Sequence, residues 1–175
     1  TGLALYARVT KLMAQKNPHV KFYVLTDEKA LELDWAKENT FIDINMGKYT
    51  REDVMSMIAA ADVLAHPAMA EGFGLPVLEA HAVGTPVIHI DIPPLREFSV
   101  GWRVPYQGIS LLDKTAAGPS GIIFENHWWE PKDFANELEH LIDIVKNSRS
   151  ELEDYKARAW QVAVEHDAMK LYPTL

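Results

Sequence analysis

Two carboxylates on either side of a glycine-containing turn are the residues of this chain whose types and spacing indicate chemistry. Glu71 and Glu79 are separated by seven residues, Gly-Phe-Gly-Leu-Pro-Val-Leu. Because proline suits the first turn of a helix, the pattern predicts a turn and then a helix over residues 77–83, ended by Gly84. The unpaired N–H groups at the start of such a helix favour a phosphate.

The position of Glu79 adds a second chemical requirement. Side chains on a helix lean toward its N-terminus, so the Glu79 carboxylate is expected near the proposed phosphate. A carboxylate repels a phosphate unless it accepts hydrogen bonds from hydroxyl groups, which a ribose or a hexose supplies. The segment therefore suggests a nucleotide-sugar, with hydroxyls on Glu71 and Glu79. An ordinary turn and helix start also fit, because the helix dipole alone favours an acidic residue in the first turn.

The flanking sequence resembles a known family. Three segments are similar to the donor-binding half of glycosyltransferase family 4 (group 1), namely residues 60–67 (AADVLAHP), 71–80 (EGFGLPVLEA) and 84–88 (GTPVI). Members of this family are retaining enzymes of the GT-B fold, and they carry an acidic pair with the same spacing. The resemblance is strongest over residues 40–98 and extends more loosely over residues 2–145.

The resemblance implies a role for individual residues. In the family the first glutamate contacts the transferred sugar and the second holds the ribose. Glu71 is therefore the expected catalytic carboxylate, and Glu79 is expected to bind the donor. The amides between them face the sugar and the diphosphate, which implies donor binding by Gly72, Phe73, Gly74 and Leu75. Family members line the nucleobase pocket just after a strand, where this chain has Gly47, Lys48 and Tyr49, although a solvated turn fits these three equally well.

The implied reaction moves a hexose from a UDP- or GDP-linked sugar to a sugar, lipid or protein acceptor. No cofactor and no metal ion are expected, and the sequence has neither an Asp-x-Asp pair nor a His-Glu-x-x-His pattern. In the family an N-terminal domain holds the acceptor, and a strand and loop before the position of residue 1 supply an Arg and a Lys for the diphosphate. We therefore expect residues 1–175 to be a single donor-binding domain, a fragment of a longer two-domain enzyme, and inactive alone.

Two other functions stay open at this point. One is a binding or regulatory module that keeps nucleotide-sugar affinity without catalysis, since the basic residues of the family are not visible in this chain. The other is a different GT-B enzyme, such as a nucleotide-sugar epimerase or a phosphorylase. The acidic pair with Gly-Phe-Gly-Leu-Pro between its members argues against that second alternative.

The composition restricts the partners. The chain has 175 residues, of which 48% are hydrophobic and 24% charged, which is typical of a globular domain. A formal net charge of −8 argues against nucleic acid as the main partner. There is no cysteine, and no apolar run approaches the ~18 residues of a membrane span. We expect a cytoplasmic protein, with peripheral association with a membrane as an option for the full-length enzyme.

The remaining sequence predicts the elements that position these residues. Helices are predicted over residues 3–15, 28–39 and 50–61, and strands over residues 20–25, 40–45, 63–66 and 87–90. This alternation predicts an α/β fold with a Rossmann-like parallel sheet and helices on both faces, the C-terminal half of a GT-B fold, with a helical tail over residues 131–171. Ligands lie beyond the carboxyl ends of such strands, and Glu71 closely follows the strand at 63–66.

The sequence departs from the family pattern between residues 91 and 126. Pro93 and Pro94 stand where family members have two glycines, and residues 99–120 are interpreted as an inserted loop with one extra strand over residues 109–112. Three tryptophans in or near this region offer stacking surfaces for a sugar acceptor, although buried or interface aromatics are commoner, namely Trp102, Trp128 and Trp129.

The histidines and two arginines are assigned structural roles. His66, His81 and His89 fall in a predicted strand, helix and strand, so we interpret them as core residues rather than as bases or metal ligands. Arg96 and Arg103 offer charge to a phosphate but fit a surface role better.

Overall fold

The computed structural model describes residues 2–26, 28–44, 47–113 and 123–167. The α-helices are α1 (Gly2–Lys16), α2 (Arg51–Ala60), α3 (Leu75–Val83), α4 (Leu95–Phe98), α5 (Pro131–Asn147) and α6 (Arg149–Glu165). The strands are β1 (Phe22–Thr26), β2 (Thr40–Ile44), β3 (Leu64–His66), β4 (Val87–Ile90), β5 (Trp102–Val104), β6 (Gly108–Asp113) and β7 (Ile123–Trp128). A 3-10 helix over Glu28–Glu32 lies between β1 and β2.

The α/β class predicted from the alternation of elements is confirmed. In the described residues, β1 and β2 form a parallel pair, and β3, β4 and β5 form a second parallel sheet in that order. All four residues of the central strand β4 are buried, so both of its faces are covered. This is the environment that a run in which three of four residues are β-branched and apolar, Val-Ile-His-Ile, predicts.

The helices close the core on different sides of these strands. On α5, Phe134, Leu138 and Leu141 share one buried face, and the Phe134 ring meets the Tyr6 ring of α1 at 5.5 Å. Tyr155 of α6 is fully buried beside α3. The predicted helical tail is therefore confirmed as two helices to residue 165, while residues 168–171 lie outside the described part of the chain.

The predicted helix over residues 28–39 is wrong beyond its first turns. The chain forms only the 3-10 helix Glu28–Glu32 and then leaves helical geometry. Trp35 is buried, and its indole N–H donates to the Ala30 carbonyl oxygen at 2.7 Å. Because this tryptophan packs into the core, tertiary packing overrides a composition that favours a helix.

The segment interpreted as an inserted loop contains more structure than we predicted. Residues Trp102–Val104 form β5, a third parallel strand that the sequence analysis missed because it is only three residues long. The predicted extra strand is confirmed as β6, which pairs with β7 in an antiparallel hairpin. Residues 114–120 of the segment lie outside the described residues.

Strong local signals fix the start of α2. The Thr50 hydroxyl accepts a hydrogen bond from the Asp53 N–H at 3.1 Å, and the Asp53 carboxylate accepts one from the Thr50 N–H at 2.9 Å. This reciprocal capping satisfies two N–H groups that the helix itself leaves unpaired. It confirms the cap predicted at Thr50.

Candidate functional site

The loop between β3 and α3, residues 67–74, ends at Gly74, a position where any other residue would be strained. Gly74 has a φ of +98°, and an added Cβ would lie 2.2 Å from the Leu95 side chain, which is fully buried. The Gly74 carbonyl accepts hydrogen bonds from Val77 and Leu78 N–H at 3.0 and 3.2 Å. The predicted helix start, with Pro76 in the first turn, and the predicted end at Gly84 are both confirmed.

Glu71 lies in this loop with both carboxylate oxygens engaged. Its Oε2 is 2.9 Å from Nε2 of His66, and its Oε1 accepts the Gly72 N–H at 3.2 Å. The hydrogen bond from His66 lowers the pKa of the Glu71 carboxyl, against a smaller opposing effect of burial. His66 therefore contacts the candidate catalytic carboxylate, a neighbour that we did not predict for it. Its position, the last residue of a parallel strand, was the signal that could have revealed it.

Glu79 lies one turn into α3 and meets a cation that the sequence analysis did not consider. Its Oε1 is 3.2 Å from a terminal guanidinium nitrogen of Arg51, the first residue of α2. The Arg51 side chain is 76% exposed, whereas that of Glu79 is 20% exposed. Arg51 directly follows Thr50, the predicted cap of α2, and lies close in sequence to Lys48 and Tyr49. These neighbours are the sequence signal that could have revealed Arg51.

Lys48 and Tyr49 converge on Asp43 at the end of β2. The Lys48 ammonium is 3.1 and 3.3 Å from the two Asp43 oxygens, and the Tyr49 hydroxyl donates to Asp43 Oδ2. The Tyr23 hydroxyl of β1 donates to the same oxygen at 2.8 Å. The hydrogen bonds from Tyr49, Tyr23 and Lys48 lower the pKa of Asp43 to about 2, and the bond to Asp43 raises the pKa of Tyr23 to about 12. The sequence analysis missed Asp43 and Tyr23.

The remaining predicted donor residues differ in how open they are. Gly47 has a φ of +78°, so the turn after β2 needs a glycine, and both Gly47 and Gly72 have no neighbouring atom within 4 Å of an added Cβ. Leu75 is exposed at the start of α3. The Phe73 side chain is exposed, and its ring stacks on the Phe98 ring of α4 at 5.1 Å.

A cavity of about 180 Å³ adjoins Glu71. Its lining comes from the loop, the Pro93 turn and strand β7, and comprises Ala70, Glu71, Pro93, Phe124, Glu125 and His127. The main-chain N–H of His127 donates to the Met69 carbonyl oxygen at 2.8 Å, and its ring Nδ1 lies 3.1 Å from the same oxygen. A larger cavity of about 280 Å³ near the 3-10 helix and β2 has no carboxylate in its lining. We therefore place the candidate site at Glu71 and not there.

His81 and His89 are structural, as interpreted from the sequence. Burial lowers the pKa of each ring to about 4. The ring nitrogens of His81 lie 3.2 Å from the Ser99 hydroxyl and 3.1 Å from the Tyr155 hydroxyl, and Nδ1 of His89 lies 2.8 Å from the Ile90 carbonyl oxygen. Within the part of the chain that the structure describes, no group of three or more acidic or histidine side chains is arranged to hold a metal ion.

The arginines and tryptophans near the insertion divide between surface and core. Arg96 and Arg103 both face Asp91, at 3.1 and 3.8 Å, and Arg96 is exposed. Trp129 is buried and Trp102 packs on the Tyr155 ring at 5.0 Å, which leaves Trp128 as the exposed member of the predicted stacking set. In the described residues, no helix is both long and apolar enough to cross a membrane.

Solved structures of glycosyltransferases share this fold. The pneumococcal O-GlcNAc transferase GtfA in complex with UDP and GlcNAc aligns with a TM-score of 0.60 and 16% identity, over 92% of this chain and 29% of that one. The structure of the GtfA/B complex aligns with the same values. The chain therefore has the fold of one part of a GT-B glycosyltransferase, in the α/β form described above.

The sequence comparisons establish the family. Residues 5–159 match the profile of the family Glycosyl transferases group 1, and the chain belongs to this family. An uncharacterized glycosyltransferase 335 of Sulfolobus islandicus rod-shaped virus 1 is 27% identical over 154 residues, 87% of this chain and 44% of the relative. A D-inositol 3-phosphate glycosyltransferase of Corynebacterium diphtheriae is 36% identical over 92 residues, 53% of this chain and 17% of the relative. The chain thus spans less than half the length of these relatives.

Proposed function

We propose that residues 1–175 form the donor-binding domain of a retaining glycosyltransferase that moves a hexose from a UDP- or GDP-linked sugar to an acceptor. The observation that carries this proposal is the strip of polar groups at the carboxyl ends of β2 and β3. These groups are three polar pairs, Lys48 with Asp43, Arg51 with Glu79 and His66 with Glu71, together with the N-terminus of α3. Ligands of open parallel sheets bind at this end of the strands.

The start of α3 is proposed as the diphosphate site. The backbone from Gly72 to Leu75 includes N–H groups that the first turn of the helix cannot satisfy internally, and these groups and the helix dipole favour an anion. Gly72 presents no side chain, and nothing lies within 4 Å of the place where a Cβ would be. A ligand phosphate therefore has room to approach the backbone closely.

The two carboxylates are proposed to bind hydroxyl groups. Glu79, one turn into α3, would accept the ribose diol, and Glu71 would accept hydroxyls of the hexose. When the bond between the anomeric carbon and the diphosphate breaks, positive charge develops on the sugar ring. An ionised carboxylate at Glu71 would stabilise that charge while the helix N-terminus stabilises the departing diphosphate. The hydrogen bond from His66 that lowers the pKa of Glu71 supports this assignment, since it keeps the carboxyl ionised.

The turn after β2 is proposed to line the nucleobase. Gly47, Lys48 and Tyr49 follow the strand, and Lys48 and Tyr49 are held by Asp43. An open glycine, an aromatic ring and a fixed ammonium group suit a planar base with carbonyl oxygens. The acceptor, which is a sugar, lipid or protein, is proposed to bind a further domain of a longer cytoplasmic or peripherally membrane-associated enzyme. The fragment alone is expected to bind donor without transferring it.

Calorimetric titration of the 175-residue chain tests this proposal. The ligands are UDP and GDP, each compared with its sugar conjugates UDP-glucose, UDP-N-acetylglucosamine and GDP-mannose. Glu79→Ala should weaken binding of the nucleoside diphosphate about tenfold, because a hydrogen-bonded carboxylate contact is lost. Glu71→Ala should spare the diphosphate and remove the additional affinity that the sugar provides.

Glu32→Ala serves as the matched control, since Glu32 is exposed on the 3-10 helix and takes no part in the proposed site. Equal binding by the parent chain and by both site variants would refute the assignment of the two glutamates. Failure of the parent chain to bind any of the five ligands would refute the donor site as a whole.

A further inference from the structure

We infer that His66 is a positioning residue for Glu71, and that its imidazole holds the carboxylate in the orientation that receives hydroxyl groups of the transferred sugar. This inference rests on the proposed function, in which Glu71 faces the donor hexose. It adds a residue of the β3 strand to a site that is otherwise built from the loop and the start of α3. His66 itself need not touch the donor.

The geometry leaves the Glu71 carboxylate both oriented and available. Its two oxygens each receive one hydrogen bond, Oε2 from His66 at 2.9 Å and Oε1 from the Gly72 N–H at 3.2 Å. An ionised carboxylate has about four acceptor positions, so each oxygen keeps a lone pair for a ligand. With 25% of its side chain exposed, Glu71 is accessible from solvent. Two neighbouring hydroxyls of a hexose match this pair of remaining acceptors.

The donor of the key hydrogen bond lies on a strand of the parallel sheet. His66 is the last residue of β3 and pairs in register with His89 of β4, whose four residues are all buried. The His66 side chain is only 15% exposed. Glu71, by contrast, lies on a loop, where a glutamate without a partner populates several rotamers. The sheet thus fixes a side chain that its own loop would leave free to rotate.

A second contact restrains the same loop at its middle. Strand β7 reaches Met69 through the main chain and ring of His127, at 2.8 and 3.1 Å. The backbone two residues before Glu71 is therefore held by β7, and the Glu71 carboxylate is held by His66. With the backbone fixed at Met69, loss of the His66 hydrogen bond should change the side-chain orientation of Glu71 rather than the path of the loop. The effect should consequently appear in sugar binding.

The hydrogen bond also has a defined direction. An ionised carboxylate can only accept, so the hydrogen lies on Nε2 of His66 and points at Glu71. The His66 bond is the largest of the effects that lower the pKa of the Glu71 carboxyl, which is consistent with a bond to the charged form. A residue that offers an N–H at the same place should therefore replace His66 in this role.

The test is calorimetric titration of the 175-residue chain and of two variants, His66→Ala and His66→Gln. UDP is compared with UDP-glucose and UDP-N-acetylglucosamine, and GDP with GDP-mannose. The quantity of interest is the ratio of the affinity for the sugar conjugate to that for the diphosphate. His66→Ala should lower this ratio about tenfold, the size of one hydrogen bond to a charged group, with diphosphate affinity unchanged. His66→Gln should restore most of it, because its amide nitrogen is the same number of bonds from the Cα as Nε2.

His140→Ala is the control, because His140 is an exposed histidine of α5 and has no part in the proposed site. An unchanged ratio in His66→Ala would overturn the positioning role. So would an equal loss of diphosphate and conjugate affinity in both variants, accompanied by a lowered midpoint of thermal unfolding. A parent chain that binds diphosphates but gains nothing from the sugar would overturn it too. Absence of any binding by the parent chain would remove the donor site and this role together.

Discussion

The two ends of the proposed donor site, the sugar end at Glu71 and the nucleotide end at Glu79, hold their carboxylates by different means. At the sugar end, Glu71 is oriented by His66, which is built into the sheet and is 15% exposed. At the nucleotide end, Glu79 meets Arg51, whose side chain is 76% exposed. A partner fixed in the sheet defines a direction, whereas an exposed cation mainly offsets charge. In the proposed site, the fold therefore pre-organises contact with the sugar, whereas the nucleotide end is adaptable and sensitive to salt.

Arg51 also helps to explain how the acidic Glu79 can lie beside the proposed phosphate site. From the sequence, we inferred that ribose hydroxyls donate hydrogen bonds to the Glu79 carboxylate and so offset its repulsion of a phosphate. The structure adds a guanidinium 3.2 Å from Glu79, which reduces the repulsion that an approaching diphosphate would meet. The nucleotide end therefore pairs opposite charges at Glu79 and Arg51. It does so again at Asp43, where the Lys48 ammonium lies 3.1 Å from a carboxylate oxygen.

The largest expected effect comes from a change that breaks both ends at once. Gly74→Ala places a Cβ at a φ of +98° and 2.2 Å from the buried Leu95 side chain. The free energy of unfolding should fall by about 2–4 kcal/mol, measured by urea denaturation, and donor binding should be lost. Gly72→Ala is the matched control, because its added Cβ meets nothing within 4 Å, and it should stay within about 0.5 kcal/mol of the parent. Equal unfolding energies for the two variants would contradict this account of Gly74.

An intermediate effect should distinguish the nucleotide end from the sugar end. Arg51→Gln leaves the Glu79 charge uncompensated, so the affinity for UDP or GDP should fall about twofold to fivefold at low ionic strength. This difference should nearly vanish at about 1 M salt, where exposed charges are screened. The ratio between conjugate and diphosphate affinity should stay constant, in contrast to the effect of His66→Ala.

Arg149→Gln, on the exposed start of α6, controls for a general change in net charge. Tighter nucleotide binding by Arg51→Gln would show that Arg51 competes with the ribose for Glu79. In that case Arg51 would block the ribose position on Glu79 in the free protein, and the nucleotide end would not be the more adaptable of the two.

The smallest effect concerns the pH dependence of the sugar end. Since hydrogen bonding to His66 lowers the pKa of Glu71 in the folded state, the ionised carboxylate stabilises the fold at pH values above its ordinary pKa. That contribution is lost as the pH falls through the lowered value. Carbon-13 NMR titration of the glutamate carboxyls should find Glu71 below its ordinary pKa in the parent and closer to it in His66→Ala. An unchanged Glu71 pKa in His66→Ala would show that His66 is not the cause of the lowered pKa.

Much of the fold was predictable because its signals are local. Thr50 and Asp53 form a cap from four consecutive residues, and the glycine and proline before α3 set its start through their own backbone preferences. The burial of the central strand β4 was predictable from its three β-branched apolar residues, Val87, Ile88 and Ile90. The helix predicted over residues 28–39 failed for the opposite reason, since burial of Trp35 depends on what the rest of the chain leaves uncovered.

The family match and the spacing of Glu71 and Glu79 come from the sequence by itself, as do the turn and helix between them, because each depends on neighbouring residues. Only the tertiary structure decided which side chains meet these carboxylates. Arg51 reaches Glu79 because α2 packs beside α3, and His127 reaches Met69 because β7 returns to the loop after β3. His66 is close to Glu71 in sequence, yet its contact depends on where β3 ends in the sheet. Packing between separate elements sets such distances, and no local pattern records them.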